Sequence, residues 1–190
     1  MERFSDREEK VAVAAEDVFV RYGFARTTMG DIARAAGISR PALYLLFPDK
    51  EAIFSRVIEM MDARSLAKIQ QAVDRIESVD GKLLHACTVW GLHGVELASA
   101  HPDAADLFDF RFPAVREVYE RFQHFLVRIL EEHVPNWTLP VSRAEFAATL
   151  TYGLRGLRYA ATDIDHMKRL VDVHVTIYGM SLKLDDSANG

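Results

Sequence analysis

Apolar residues recur at helical spacing along this chain, and no segment alternates in the way that a strand does. In the first such pattern, residues 11–22 carry an apolar side opposite a charged one, and Gly23 follows as the expected end of the helix. Thr28 is the expected cap of a second helix, with Asp31 three residues on as in a capping box, and Gly37 ends it. The pattern therefore predicts an all-α chain.

The helical pattern continues to the end of the chain. Ser39 is predicted to cap a third helix over residues 40–47, and Pro41 lies in its first turn, where a missing N–H costs nothing. Asp49 is predicted to cap a long fourth helix that continues to about Val73. Further helices are predicted over residues 79–100, 102–109, 113–134, 142–162 and 164–184.

Composition and charge narrow the class of protein. No apolar run reaches the roughly 18 residues that span a bilayer, and the first residues lack the basic-then-apolar order of a secretory signal. The single cysteine, Cys87, cannot form an internal disulfide, which favours a cytoplasmic protein. We interpret this thiol as a buried apolar group, with a redox sensor as the alternative.

The charge is distributed unevenly along the chain. The formal net charge is −5, yet residues 21–50 hold five basic residues against two acidic ones. Residues 51–190 hold 15 basic residues against 20 acidic ones. A locally basic segment on an acidic remainder is typical of a nucleic-acid-binding domain whose partner domain avoids nucleic acid.

Residues 28–47 have the helix-turn-helix pattern, which is two short helices joined by a tight turn at Gly37. Ala33 and Ala36 are small enough for the second helix to lie close against the third. The apolar contact that fixes their angle is expected from Ile32, Ile38 and Leu43. The third helix is then free to enter a major groove of DNA.

The wider string is more specific than a bare helix-turn-helix. Residues 27–51, TTMGDIARAAGISRPALYLLFPDKE, resemble the signature of the TetR family of repressors, and Phe19, Gly23 and Phe24 extend the resemblance over roughly residues 8–58. It implies a helix-turn-helix DNA-binding domain over residues 1–50. It also implies a helical ligand-binding and dimerisation domain over residues 51–184, and the polar tail 185–190 is predicted to be disordered.

The resemblance implies particular DNA contacts. Thr28, at a helix N-terminus, would hold a phosphate, and the fork of Arg40 would read the O6/N7 pair of a guanine. Tyr44 and Lys50 would each reach a further phosphate. The predicted DNA-binding residues are Thr28, Ser39, Arg40, Pro41, Ala42, Tyr44 and Lys50.

Four further positions bear on these contacts. Pro41 and Ala42 present small apolar surfaces, suited to a thymine methyl or to close backbone approach. Gly30 has no side chain, so the base contact that some members make from this position is absent. Leu46 stands where the family often has a polar or aromatic residue, so the resemblance does not imply a DNA-backbone contact from this position.

The second half of the chain is rich in aromatic residues. Alternating rings over residues 108–112 stand beside a break at Pro113, where a helical bundle can leave a cavity. A small-molecule pocket is therefore predicted, and any one of its residues is alternatively plain core. The predicted lining is Trp90, His93, Phe108, Phe112, Tyr119, Phe122, Tyr152 and Arg155.

The last two helices are predicted to form a homodimer interface. Gly153, Gly156 and Ala160 make a stripe of small residues, and glycine inside a helix costs about 1 kcal/mol relative to alanine, which indicates a packing reason. The alternative is a contact of the same geometry within one chain. The predicted interface residues are Gly153, Gly156, Ala160, Leu170, His174, Ile177 and Tyr178.

The function predicted is that of a DNA-binding transcriptional regulator, a repressor that releases a palindromic operator on binding a small molecule. A transcriptional activator or a ligand-independent DNA-binding protein of the same fold is the alternative. An enzyme is disfavoured, since there is no phosphate-loop string or nucleophile elbow and the seven histidines lack metal-ligand spacing. No catalytic residue, metal or cofactor is expected.

Overall fold

The computed structural model describes residues 6–101 and 107–186, and all regular secondary structure in these two ranges is helical. This agrees with the predicted all-α class. The helices of the described residues are α1 (Asp6–Arg26), α2 (Met29–Ala35), α3 (Arg40–Leu46), α4 (Lys50–Val73), α5 (Val79–Ala100), α6 (Pro113–His133), α7 (Arg143–Ala160) and α8 (Ile164–Asp186).

Helix boundaries follow the capping residues named from the sequence. Gly23 adopts φ 72° and ψ 167°, so the helical backbone breaks there as predicted, although one more helical turn carries α1 to Arg26. The Asp49 carboxylate accepts a hydrogen bond from the N–H of Ala52 at 2.8 Å and so caps α4. Apart from α1, the predicted long helices therefore begin and end within about two residues of their observed bounds.

Two predicted segments fall partly outside the described residues. Of the helix expected over 102–109, residues 102–106 lie outside them, and 107–108 form a single 3₁₀ turn. The predicted start of the tail at residue 185 is too early, because α8 continues to Asp186. Residues 187–190 lie outside the described part.

The described residues form two compact units. The head comprises those up to Arg64 together with those from Leu97 to Val118. The body comprises Ser65–Glu96 and the residues from Tyr119 onward. The head therefore extends well beyond the boundary predicted at residue 50, because the first half of α4 supplies buried core residues such as Phe54 to it.

An aromatic cluster forms the core of the head. The ring of Phe54 lies 5.2 Å from that of Phe19, 5.0 Å from Phe24 and 4.6 Å from Phe112. Phe24 and Phe112 are themselves 4.7 Å apart. Such ring pairs add about 0.5–1.5 kcal/mol each to the free energy of burial. These contacts fix the first turns of α4 against the end of α1.

The core of the body is a bundle of apolar side chains in which α7 and α8 pack together. Cys87 is fully buried in it, and burial raises the pKa of its thiol above the ordinary range, which agrees with the apolar role. None of the helices in the described part of the chain is long and apolar enough to cross a membrane. Fully buried body residues include Ile69, Leu83, Cys87, Phe122, Leu126, Leu130 and Leu150.

Candidate nucleic-acid interface

The N-terminus of α2 is closed by a capping box. The N–H of Asp31 donates to Thr28 Oγ1 at 3.2 Å, and the N–H of Thr28 donates to Asp31 Oδ2 at 3.0 Å. The Thr28 hydroxyl also donates to Asp31 Oδ2 at 2.6 Å, and these bonds hold the pKa of that carboxyl below its ordinary value. The predicted cap is confirmed, while the phosphate contact of Thr28 stays a prediction.

The turn between α2 and α3 depends on Gly37. Its φ of 66° lies in the left-handed region that glycine adopts without cost. The N–H of Gly37 donates to Arg34 O at 3.2 Å, and that of Ile38 donates to Ala33 O at 3.0 Å, so the last carbonyls of α2 are satisfied. The chain therefore turns at Gly37, as expected from the sequence, and backbone hydrogen bonds close the turn.

Helix α3 is capped by Ser39, whose Oγ accepts a hydrogen bond from the N–H of Ala42 at 3.3 Å. Leu43 is fully buried and holds the helix on the head, as predicted. Ala42 is half-buried, because it lies toward that inner side rather than the outer one. The exposed side of α3 consists of Arg40, Pro41, Tyr44 and Leu45.

Two of these exposed residues form a polar pair. An Nη of Arg40 lies 3.3 Å from the Tyr44 hydroxyl, and its guanidinium carbon lies 5.7 Å from the centre of the Tyr44 ring. Residues four apart on a helix are neighbours, so the pair follows from their spacing. The tyrosine holds the fork of Arg40 on the outer side of α3, where it is available to a planar acceptor pair.

Lys50 is directed into the head. Its Nζ donates to Phe24 O at 2.6 Å and to Thr27 O at 2.8 Å, and it lies 4.1 Å from the centre of the Phe24 ring. These contacts tie the start of α4 to the connection between α1 and α2. The phosphate role predicted for Lys50 stays a prediction, and its ammonium has a structural role that spacing alone did not indicate.

Comparison with known proteins identifies this part of the head. Residues 12–57 match the family of bacterial regulatory proteins called the tetR family. A regulator named EthR, from Mycolicibacterium smegmatis, is 35% identical over 69 residues, which are 36% of this chain and 32% of that protein. This segment is therefore similar to the matching part of tetR-family regulators. The matched segment spans about a third of that relative's length.

Solved structures extend the likeness of fold along the chain. A TetR transcription regulator from Haloarcula marismortui aligns with a TM-score of 0.69 at 18% identity, covering 94% of this chain and 98% of that one. FadR from Bacillus subtilis, solved in complex with stearoyl-CoA, aligns with a TM-score of 0.67 at 14% identity, covering 90% and 96%. Identities this low establish the TetR-like fold and nothing finer.

The residues predicted to line one pocket lie in both units. Phe108 and Phe112 belong to the head, where Phe112 is part of the aromatic core. The others belong to the body, with His93 on its surface. The predicted pocket residues in the body are Trp90, His93, Tyr119, Phe122, Tyr152 and Arg155.

Four of these body residues form a stack of rings. Trp90 lies 4.4 Å from Phe122 and nearly parallel to it, and 4.9 Å from Tyr119 at a right angle. Tyr119 in turn stacks on Tyr152 at 6.0 Å. Burial raises the pKa of Tyr119, although nearby Arg158 and Arg155 act in the opposite direction. The stack runs from a buried phenylalanine to a half-exposed tyrosine.

The small-residue stripe of α7 has two different environments. A Cβ at Gly153 would lie 2.3 Å from the ring of His174, so here α8 approaches α7 within one chain, as in the alternative interpretation. His174 Nε2 also lies 3.1 Å from Leu150 O. In the described part of the chain, a Cβ at Gly156 would meet no neighbouring atom within 4 Å, and Gly156 and Ala160 are exposed.

The remaining predicted interface residues divide in the same way. Leu170 and Tyr178 are half-buried, and the Tyr178 ring packs 5.0 Å from that of Phe146. Ile177 is 61% exposed, and the sequence analysis missed its neighbours Val173 and Met180, which are equally exposed four residues before and three after it. Their spacing of i, i+4 and i+7 was the signal that could have found them.

Proposed function

We propose that this protein is a DNA-binding transcriptional regulator that acts as a ligand-responsive repressor. The observation that carries the proposal is the placement of Arg40 and Tyr44 on the exposed side of α3. Buried Leu43 holds this helix on the head, and α3 lies within the segment that matches the tetR family. A guanidinium so placed can read a guanine in a major groove by two hydrogen bonds.

Binding of a duplex from a randomised library tests this proposal. The wild-type chain should select a roughly palindromic sequence whose half-site centres lie a whole number of helical turns apart, with ~34–36 Å per turn. Arg40→Ala should cost about 1–3 kcal/mol of binding free energy and relax the preference at one position per half-site. If the wild-type chain enriched no sequence from the library, the proposal would be contradicted. If Arg40→Ala selected the same sequence as the wild-type chain, the role of Arg40 would be contradicted.

A homodimer is part of the proposal, since a palindrome requires two heads. A second copy could approach closely at two places. One is the exposed apolar row of α8, formed by Val173, Ile177 and Met180, and the other is the open side of α7 at Gly156 and Ala160. Ile177→Glu should dissociate the dimer in sedimentation, because it would bury an unpaired charge. Val141→Glu, at an exposed site before α7, is the matched control and should leave the dimer intact.

Ligand response is the finer part of the proposal. We place the ligand beside the stack of Trp90, Tyr119 and Tyr152, with Arg155 near an anionic end. Stearoyl-CoA, which FadR binds, serves as one probe. An inducer must bind more weakly when operator is present, by the same factor by which it weakens operator binding. Equal affinity with and without operator would show that a probe is no inducer.

Two outcomes would favour the alternatives. Activation of transcription in vitro by the bound protein would support an activator. Operator binding that no probe changes, together with a body whose unfolding temperature no probe raises, would support a ligand-independent regulator.

A further inference from the structure

Helix α3 exposes an apolar side chain for which the head has no structural use. Leu45 is 88% exposed, the highest value among the exposed large apolar residues in the described part of the chain. Leu43 and Phe47, at 0% and 4% exposure, already hold α3 on the head. An isolated exposed leucine is ordinary on a protein surface, but this one lies on the side of α3 that carries Arg40 and Tyr44.

The exposed side of α3 consists of two parallel rows. Arg40 and Tyr44 are four residues apart and form the polar row. Pro41 and Leu45 have the same spacing one residue further on, and both are exposed, so they form an apolar row beside it. A surface that meets DNA through α3 therefore brings a hydrogen-bonding row and an apolar row into the same groove.

We propose that Leu45, supported by Pro41, is a specificity-determining residue that reads the 5-methyl group of a thymine. The inference rests on the proposed function and concerns which base α3 selects. The thymine methyl is the one apolar group that base pairs present in the major groove. A guanine or cytosine edge would leave polar groups against Leu45, and such a mismatch loses hydrogen bonds to water.

The spacing of the rows gives the position of that thymine. Leu45 follows Arg40 by five residues, which at a rise of about 1.5 Å per residue is ~7.5 Å along α3. Successive base pairs are about 3.4 Å apart along the duplex. With α3 along the groove, the methyl group lies about two base-pair steps from the guanine read by Arg40.

Replacing single thymines by deoxyuridine tests the proposal, because it removes the methyl and leaves the pairing edge unchanged. On the operator selected by the wild-type chain, one thymine per half-site should weaken binding by about fourfold when replaced, which corresponds to about 0.8 kcal/mol for one buried methyl. Leu45→Ala should bind the thymine and uracil duplexes with equal affinity. Val13→Ala, at a half-exposed residue of α1, is the control and should keep the fourfold ratio.

A second measurement uses the same methyl on another base. Where that thymine is exchanged for cytosine, 5-methylation of the cytosine should raise wild-type affinity by about fourfold and leave Leu45→Ala unchanged. Equal wild-type affinity for thymine and uracil at every position, or a ratio that survives in Leu45→Ala, would overturn the inference while leaving the proposed function intact. A wild-type chain without sequence preference would overturn both.

Discussion

The head and the body differ in their similarity to known proteins and in the residues that they expose. The family match covers residues 12–57 of the head, whereas the likeness to solved TetR-like structures extends over 90% and 94% of the chain at identities of 14% and 18%. Both units expose apolar side chains beside polar ones. On α3, Leu45 lies beside Arg40 and Tyr44, whereas on α8 the apolar Val173 and Ile177 lie beside exposed Asp172 and Thr176. The charge next to the apolar residues, basic on α3 and acidic at Asp172 on α8, separates the two surfaces.

Under the proposed function, the difference reflects the kind of partner that each surface would meet. A DNA groove has a fixed width and a fixed set of donors and acceptors, so a helix that reads it must keep one geometry and a mixed polar and apolar face. A second copy of the chain, or a small molecule, imposes no such common shape. Residue patterns therefore identify the function of the head more directly than that of the body.

The largest expected effect tests whether the two units unfold independently. Phe54→Ala in the head and Phe122→Ala in the body each remove a fully buried ring and should cost about 3–5 kcal/mol of unfolding free energy. Both tryptophans, Trp90 and Trp137, lie in the body, so their fluorescence reports that unit alone, while far-ultraviolet circular dichroism reports both.

For Phe54→Ala we expect circular dichroism to show an early transition that tryptophan fluorescence does not follow. For Phe122→Ala, whose ring stacks on Trp90, both signals should shift. Coincident transitions in Phe54→Ala would show that the head and the body unfold as one cooperative unit.

The next comparison is between two lysines, one in each unit, whose ammonium groups donate hydrogen bonds to backbone carbonyls. Lys50 in the head donates to Phe24 and Thr27, and buried Lys82 in the body donates to Val73 O at 2.8 Å. Lys50→Met and Lys82→Met should each cost about 1.5–3 kcal/mol in chemical denaturation, because the bonds have a charged donor.

The same pair separates the structural role of Lys50 from the predicted phosphate contact. We expect Lys50→Met, under conditions where it is folded, to lower the slope of operator affinity against salt by about one, as the predicted phosphate contact requires. An unchanged slope would show that the ammonium of Lys50 has only its structural role in the head. Lys82→Met is the control for folding effects alone.

The two glycines of α7 sharpen the description of the body. Gly153→Ala must displace the His174 ring, which costs about 1–3 kcal/mol, less the roughly 1 kcal/mol gained from alanine in a helix. Gly156→Ala meets no neighbouring atom among the described residues, so it should raise the stability of the body at concentrations too low for a dimer. Thermal unfolding followed by fluorescence compares them. A loss for Gly156→Ala that appears only at dimer-forming concentrations would indicate a contact with a second copy.

The smallest effects come from the two capping boxes, one in each unit. Thr28→Ala at α2 and Ser142→Ala at α7 should each cost about 1 kcal/mol. Hydrogen bonds from Thr28 and from Ser142 lower the pKa of the partners Asp31 and Glu145 from ordinary values of 3.8 and 4.5.

A lowered carboxyl pKa stabilises the folded state above the ordinary value, and this contribution is lost as the pH falls through the lowered value. Stability should therefore decline below about pH 4.5 at α7 and below about pH 3.8 at α2. When Asp31→Asn is titrated with acid, its stability should not show the decline below about pH 3.8. An unchanged acid profile would mean that this cap does not contribute.

The features of the head that the sequence predicted depend on hydrogen bonds and backbone conformations within a few residues. Thr28, Gly37 and Ser39 act on backbone groups within a few residues, so their roles follow from order along the chain, and each was found where it was expected. The burial of Leu43 followed from helical spacing in the same way. Family resemblance then supplied the DNA contacts as predictions.

Contacts between residues distant in sequence could not be predicted in this way. Lys50 meets carbonyls 26 and 23 residues earlier, and Phe112 joins a cluster with Phe24 and Phe54 rather than the rings of the body. Gly153 is needed because His174 lies against it. Helical periodicity tells which side of a helix is apolar, but not which distant segment covers it.

The sequence by itself determined the all-α class, the capped helix-turn-helix and the identity of the residues on α3, because these depend on bonds within one or two helical turns. Tertiary structure decided that Ala42 is half-buried while Leu45 stands exposed beside Arg40. It also decided that Lys50 contacts carbonyls inside the head and that the α7 stripe is open at Gly156 but covered at Gly153. Those outcomes depend on close packing between segments far apart in the chain, which no local pattern encodes.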